Sequence, residues 1–158
     1  MTDQETPDGD GHGVVLAAFG GLVGVLAVVG RLTGSRLPER PSVGDTVLLS
    51  IATHKVSRLL TKGVVTGPLR APFTTVEELT GEGEVNESPR GHHLRHTIGE
   101  LLTCPFCLSV WVATVLTAGL LAAPRTTRLV ATVLTTVTAS DVLQLAYDAA
   151  KTAAEQAG

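Results

Sequence analysis

Long runs of uncharged, mostly apolar residues dominate the hydropathy pattern of this chain. The longest covers residues 101–123, and a second covers residues 13–30. A third, residues 129–147, is interrupted by a single charge at Asp141. At about 1.5 Å per residue, helices of these lengths reach roughly the 30 Å thickness of a bilayer hydrocarbon core. The pattern therefore predicts three membrane-spanning helices.

Residues 43–62 show a different pattern, that of an amphipathic helix. Apolar residues recur at helical spacing from Val47 to Leu60, whereas His54, Lys55 and Arg58 gather on the other side. Several basic residues make a full crossing costly, so we expect this helix to lie on an anionic membrane surface. A fourth span is the alternative, because helical bundles can bury basic residues against partners.

The remaining segments are polar. We expect residues 1–12 to be a disordered acidic tail, residues 63–100 a polar loop and residues 148–158 a polar tail. Together the segments predict an all-α fold, a small integral membrane helical bundle with three or four spans and one amphipathic interfacial helix.

Composition agrees with a membrane protein. The chain is 44% hydrophobic, 17% charged and 3% aromatic, and small residues let helices approach closely in lipid. Gly20 and Gly24, four residues apart, predict a flat face for packing against another helix, with self-association as the alternative. The expected partners are the lipid bilayer and other membrane helices. A net charge of −3 gives nucleic-acid binding no support.

The distribution of lysine and arginine predicts the orientation of a multi-pass protein in the cell membrane. With three spans and an outer N-terminus, only Arg125 and Arg128 lie outside and the C-terminus is cytoplasmic. A fourth span at residues 43–62 would remove this bias.

The two cysteines of the chain, Cys104 and Cys107, are the densest cluster of candidate chemistry. Thr103 is suited to cap a helix that begins near Pro105, and a helix N-terminus favours a thiolate. In the simplest interpretation both cysteines pack as small apolar residues, with Trp111 packing or anchoring one turn further on.

Two chemical interpretations compete with packing. Cys104 and Cys107 have the spacing of half a zinc site, and His92, His93 and His96 precede them, so zinc or another transition metal is the candidate cofactor. Alternatively, Cys104 is the nucleophile and Cys107 the resolving thiol of a thiol-disulfide oxidoreductase.

Asp141 is the one acidic residue within the third apolar run. A carboxylate at that depth needs a partner, and we expect Arg58 or His54 to supply it. A structural ion pair is favoured over a transport path, because three short spans scarcely form one.

Four blocks of the sequence carry a family resemblance: residues 52–59, residues 68–73, less tightly residues 139–144 and, above all, GELLTCPFCLSVWVA at residues 99–113. In these blocks the chain resembles a bacterial family of small membrane proteins known as a domain of unknown function, numbered thirteen-sixty, some of whose members are labelled sporulation proteins. The resemblance covers roughly residues 54–147. It implies a multi-span membrane protein and no established activity.

The sequence thus favours an integral membrane protein that is a structural or interaction component and not an enzyme. Metal binding at the membrane boundary is the first alternative, and thiol-disulfide exchange is the second.

Overall fold

Three long helices account for most of the apolar sequence. The computed structural model describes residues 9–34, 42–81 and 83–157. Its helices are α1 (Gly9–Leu32), α2 (Val43–Lys62), a short α3 (Gly67–Arg70), α4 (Leu94–Thr103), α5 (Pro105–Ala122) and α6 (Pro124–Ala157). Within the described ranges, α1, α5 and α6 are the helices long and apolar enough to cross a membrane. The predicted helical membrane fold is confirmed.

Helix α2 has the bounds predicted from its amphipathic pattern. It begins after Ser42, whose hydroxyl accepts a hydrogen bond from the backbone N–H of Asp45 at 3.4 Å. Asp45 in the first turn and Lys62 in the last turn both match the helix dipole. Local sequence is therefore sufficient to start this helix, and Gly63 follows its end.

The core of the bundle lies where α2 packs against α5 and α6. Ala52 of α2 and Ala131 of α6 are fully buried, and Leu49 joins them. Leu116 and Leu120 of α5 cover this cluster. Because alanines occupy its centre, the helices approach closely, as small residues allow in membrane proteins.

Contacts along the helices establish their relative directions. Helices α2 and α6 run in parallel, since Asp45 pairs with Arg128 and, further along both helices, Lys55 pairs with Asp141. Helix α5 runs the opposite way, because Ala123 alone joins it to α6. We call the end where α2 finishes and α5 begins the hairpin end, and the end where α5 meets α6 the loop end.

Helix α1 runs in the same direction as α5. Gly11 lies against Thr97 at the hairpin end. Further along, the ring of Phe19 meets Trp111 of α5 edge to face, with centroids 5.2 Å apart. Nearer the loop end, both helices line a common groove.

Residues 63–100, predicted as a polar loop, are folded. After a 3₁₀ turn (Val64–Thr66) and α3, an antiparallel hairpin of β1 (Thr74–Gly81) and β2 (Glu84–Pro89) precedes α4. Gly83 at the hairpin turn has a φ of 80°, which favours glycine. Gly99 of α4 lies so close to Phe73 and Pro89 that a side chain would collide with backbone atoms. This close packing holds the helix against the hairpin.

Two predicted helix boundaries also differ. The predicted span at residues 101–123 is divided at Cys104, because Pro105 lacks an N–H and starts a new helix. Pro124 starts α6, and this helix continues to Ala157, so the predicted polar tail at residues 148–158 is helical up to that residue. Of the predicted acidic tail, residues 1–8 lie outside the described residues, and α1 already includes Gly9.

The predicted packing face of α1 is open. A side chain added at Gly20 or Gly24 would meet nothing within 4 Å. The prediction that these glycines pack on another helix of the chain is therefore wrong for the described residues, and self-association through them stays a prediction.

Candidate functional site

An ion pair between α2 and α6 forms the centre of the candidate site. The Lys55 ammonium lies 2.5 Å from a carboxylate oxygen of Asp141. The expectation that Asp141 has a basic partner on α2 is met, but that partner is Lys55 and not Arg58 or His54. The pair neutralises both charges where α2 and α6 meet, which lowers the cost of placing a carboxylate among apolar side chains.

Arg58 has a different partner, on the hairpin. Its guanidinium donates two hydrogen bonds of 2.8 Å to Glu84, the first residue of β2. Two parallel bonds fix orientation as well as distance. Arg58 therefore ties the hairpin turn to α2.

These two ion pairs line an open cavity of about 690 Å³ at the hairpin end. The cavity lies between α2, α6 and the hairpin turn, and the exposed side chain of His54 also lines it. Its volume falls within the roughly 300–1,000 Å³ of small-molecule sites. Because Lys55 and Arg58 are each neutralised by a carboxylate, the arrangement is suited first to holding α2, α6 and the hairpin together.

A third ion pair, which is buried, fixes the base of the hairpin. Arg70 donates hydrogen bonds of 2.8 Å to both carboxylate oxygens of Glu87, and the two side chains are 1% and 2% exposed. The same guanidinium donates to the carbonyl oxygens of Leu60 at 2.7 Å and Gly63 at 3.0 Å. Arg70 therefore joins the C-terminal end of α2 to β2.

Sequence reasoning missed this pair. The one local signal is the position of Arg70 between Pro68 and Pro72, in a segment that we expected to be a loop. Nothing in the spacing selects Glu87 from the neighbouring glutamates.

Hydrogen bonds from Arg70 lower the pKa of the Glu87 carboxyl group. Burial opposes this shift, and a hydrogen bond from Thr74 adds to it.

The cysteines lie at the junction of α4 and α5. Cys104 and not Thr103 is the N-cap of α5, and its sulfur accepts a hydrogen bond from the Cys107 backbone N–H at 3.2 Å. Both thiols are free; Cys104 is half-buried and Cys107 is exposed. Cys104 therefore has a structural role that the sequence assigned to its neighbour.

The histidines do not join the cysteines. His92 and His93 are exposed before α4, while His96 lies 3.7 Å from Glu100 one turn further along that helix. His12 of α1 approaches Glu100 from the other side at 3.5 Å. Among residues 9–34, 42–81 and 83–157, no three His, Cys, Asp or Glu side chains are grouped so as to hold a metal ion.

Trp111, expected to pack or anchor one turn beyond Cys107, packs against Phe19 with ring planes inclined at 69°. Edge-to-face aromatic pairs of this kind contribute about 0.5–1.5 kcal/mol beyond area burial. The contact joins α1 to the rest of the bundle.

Comparison with known proteins supports the family resemblance. The profile of a family described as "Protein of unknown function (DUF1360)" matches residues 48–147. The protein named Sporulation protein YjcA of Bacillus subtilis (strain 168) is 39% identical over 70 residues, which cover 42% of this chain and 59% of that protein. No solved structure matches the chain. The matched range contains both cysteines and the three ion pairs of the site, Lys55–Asp141, Arg58–Glu84 and Arg70–Glu87.

Proposed function

The chain belongs to the family described as "Protein of unknown function (DUF1360)", and from this premise we propose that it is a multi-pass membrane protein that works by binding a partner, without catalysis. It holds a folded hairpin against one end of a helical bundle. The proposal refines the structural or interaction role that the sequence favours.

The proposed topology has four crossings. Because α1 and α5 run in the same direction, the chain must return across the membrane between them, and α2 is the long helix in that interval. Two of its three lysine and arginine side chains are neutralised, Lys55 by Asp141 and Arg58 by Glu84, and Lys62 in the last turn donates a hydrogen bond to the Asn86 side chain. Pairing of this kind reduces the cost that argued against a fourth span.

In this topology the N-terminal end of α1, the C-terminal end of α6 and the hairpin lie on the same side of the membrane. Reporter fusions to Met1 and to Gly158, each active on one side only, test it. We expect the same response from both fusions. Opposite responses would restore the three-span arrangement, with its outer N-terminus and cytoplasmic C-terminus.

The binding role rests on one observation: the hairpin is held rigidly by Arg70 and Glu87, yet β1 is open. Residues of β1 after Thr74 are exposed, including Val76 and Leu79. An unpaired strand edge with apolar side chains is suited to pair with an extended segment of another protein.

A photo-crosslinking amino acid at Leu79 tests this role in intact membranes. We expect a discrete protein adduct at Leu79 that is lost when Arg70→Met releases the hairpin. The same probe at Val133, an exposed apolar position of α6, is the matched control and should label lipid. Adducts that persist unchanged with Arg70→Met, or no protein adduct at Leu79, would contradict the binding role.

Thiol exchange remains a second candidate function, because one observation favours it. The Cys104 sulfur accepts a hydrogen bond from a backbone N–H at the start of α5, and the free thiol of Cys107 is exposed beside it, so the two sulfurs are close enough for exchange. Replacement of Cys104 by serine, argued in the Discussion, separates this function from capping.

A further inference from the structure

A groove separates α1 from α5 in the half of the bundle nearer the loop end. It has a volume of about 850 Å³ and a mainly apolar lining that includes Val23, Leu26, Ala27, Ala118 and Leu121. The two helices are held together by Phe19 and Trp111 on the hairpin side of this groove. Among the described residues, no aromatic contact links the two helices further toward the loop end.

The length of the groove matches one lipid leaflet. Its lining on α1 extends from Val23 to Thr33, which is about 15 Å at 1.5 Å per residue. This is about half of the roughly 30 Å hydrocarbon core. A transmembrane helix of a second copy or of a partner would need a face about twice as long, so a single acyl chain fits the groove better.

The end of the groove nearer the loop end of the bundle is positively charged. Arg31 lines the groove, and Arg125 is exposed in the first turn of α6 at the same end. Neither arginine has an ion-pair partner among the described residues, whereas the nearby Arg128 is neutralised by Asp45. Basic pockets between membrane helices bind anionic lipid headgroups.

We propose that this groove binds one anionic phospholipid, with an acyl chain between α1 and α5 and the phosphate at Arg31. The inference does not depend on the hairpin or on its partner. It requires only that α1 and α5 both cross the membrane, which their length and composition allow.

Native mass spectrometry of the full-length protein, titrated with phosphatidylglycerol or phosphatidylcholine, tests the proposal. We expect one tightly bound phosphatidylglycerol and weaker binding of phosphatidylcholine. Arg31→Gln should weaken phosphatidylglycerol binding about fivefold, the effect of one basic residue near an anionic headgroup. Arg90→Gln removes an exposed cation at the hairpin end and is the matched control, for which we expect no change.

A second variant tests the groove itself. Ala27 is exposed on the groove wall, so Ala27→Phe fills the space without disturbing the bundle core and should abolish the bound lipid. Equal binding of both lipids, no effect of Arg31→Gln, or unchanged binding to Ala27→Phe would each overturn the proposal. A lipid-free dimer that Ala27→Phe dissociates would assign the groove to a second copy and would also overturn it.

Discussion

Arg70 and Glu87 form a buried ion pair that links the end of a helix to a strand. The guanidinium donates two hydrogen bonds to the carboxylate. It donates two more to carbonyl oxygens at the end of α2. The last carbonyl groups of a helix need such donors. One side chain therefore caps α2 and positions the hairpin, so the two features should be lost together.

Arg70→Met should destabilise the protein by about 3–5 kcal/mol, because it leaves the Glu87 carboxylate buried and unpaired. The measurement is thermal unfolding in detergent, together with limited proteolysis of the hairpin. The double variant Arg70→Met, Glu87→Met should recover much of the loss, since it removes the unpaired charge. A double variant less stable than Arg70→Met would contradict this account.

The same pair predicts a dependence of stability on pH. Because the pKa of Glu87 is lower in the folded protein than in the unfolded chain, its contribution is fully present above the ordinary glutamate pKa of about 4.3. The contribution is lost as the pH falls through the lowered value.

The contribution of the Glu87 carboxylate to stability can be measured as the melting temperature of the wild-type protein minus that of Glu87→Gln, between about pH 7 and about pH 3. We expect a constant difference down to about pH 5 and a decrease below it. A difference that grows on acidification would mean that the carboxylate is not the stabilised form.

The sequence was sufficient for the helices because their signals are local. Uncharged runs predicted α1, α5 and most of α6, and amphipathic spacing predicted the bounds of α2. The hairpin was missed because β1 contains Glu77 and Glu78 and lacks a clear alternation of apolar and polar residues. Its position depends on the pairing of Arg70 with Glu87, 17 residues along the chain, and on the close approach of Gly99 to Phe73 and Pro89. Neither contact produces a periodic pattern in the sequence.

The candidate site could be predicted only in part, for a geometric reason. The sequence predicted that Asp141 has a basic partner on α2, but it did not identify Lys55, which is 86 positions away, as that partner. His54, Lys55 and Arg58 lie within about one turn of that helix, and the rotation that selects Lys55 follows from the packing of α2 between α5 and α6. The N-cap of α5 is Cys104 and not the predicted Thr103, because the helix begins at Pro105.

Cys104→Ser should leave stability nearly unchanged, because serine is a strong N-cap residue. Cys104→Ala removes the acceptor for the Cys107 N–H and should cost about 1 kcal/mol. Chemical denaturation in detergent measures both. This expectation replaces a role for the cysteines in apolar packing alone, for which serine would be the more harmful substitution.

The serine variant also separates capping from thiol chemistry. If the protein exchanges disulfides, Cys104→Ser remains folded but loses all exchange with an added model disulfide, while Cys104→Ala loses exchange and stability together. An equally slow reaction of wild type and Cys104→Ser would exclude Cys104 as a nucleophile.

Metal analysis of the purified wild type tests the alternative of a metal site. We expect no stoichiometric zinc, since the described residues group no further ligands with these thiols.

The contribution of the Lys55–Asp141 ion pair to stability can be tested by exchanging the two charges. Lys55→Met leaves Asp141 without its cation in the apolar part of α6 and should cost about 1–3 kcal/mol, less than loss of the Arg70 pair because these side chains are 23% and 43% exposed. The exchange variant Lys55→Asp, Asp141→Lys should restore most of the folding yield, because the pair is reformed with opposite polarity.

Lys151→Met is the control, since Lys151 and Glu155 are 3.9 Å apart and exposed at the end of α6, where ion pairs contribute little. An exchange variant as unstable as Lys55→Met would mean that Lys55 supports α2 through its aliphatic stem and not through its charge.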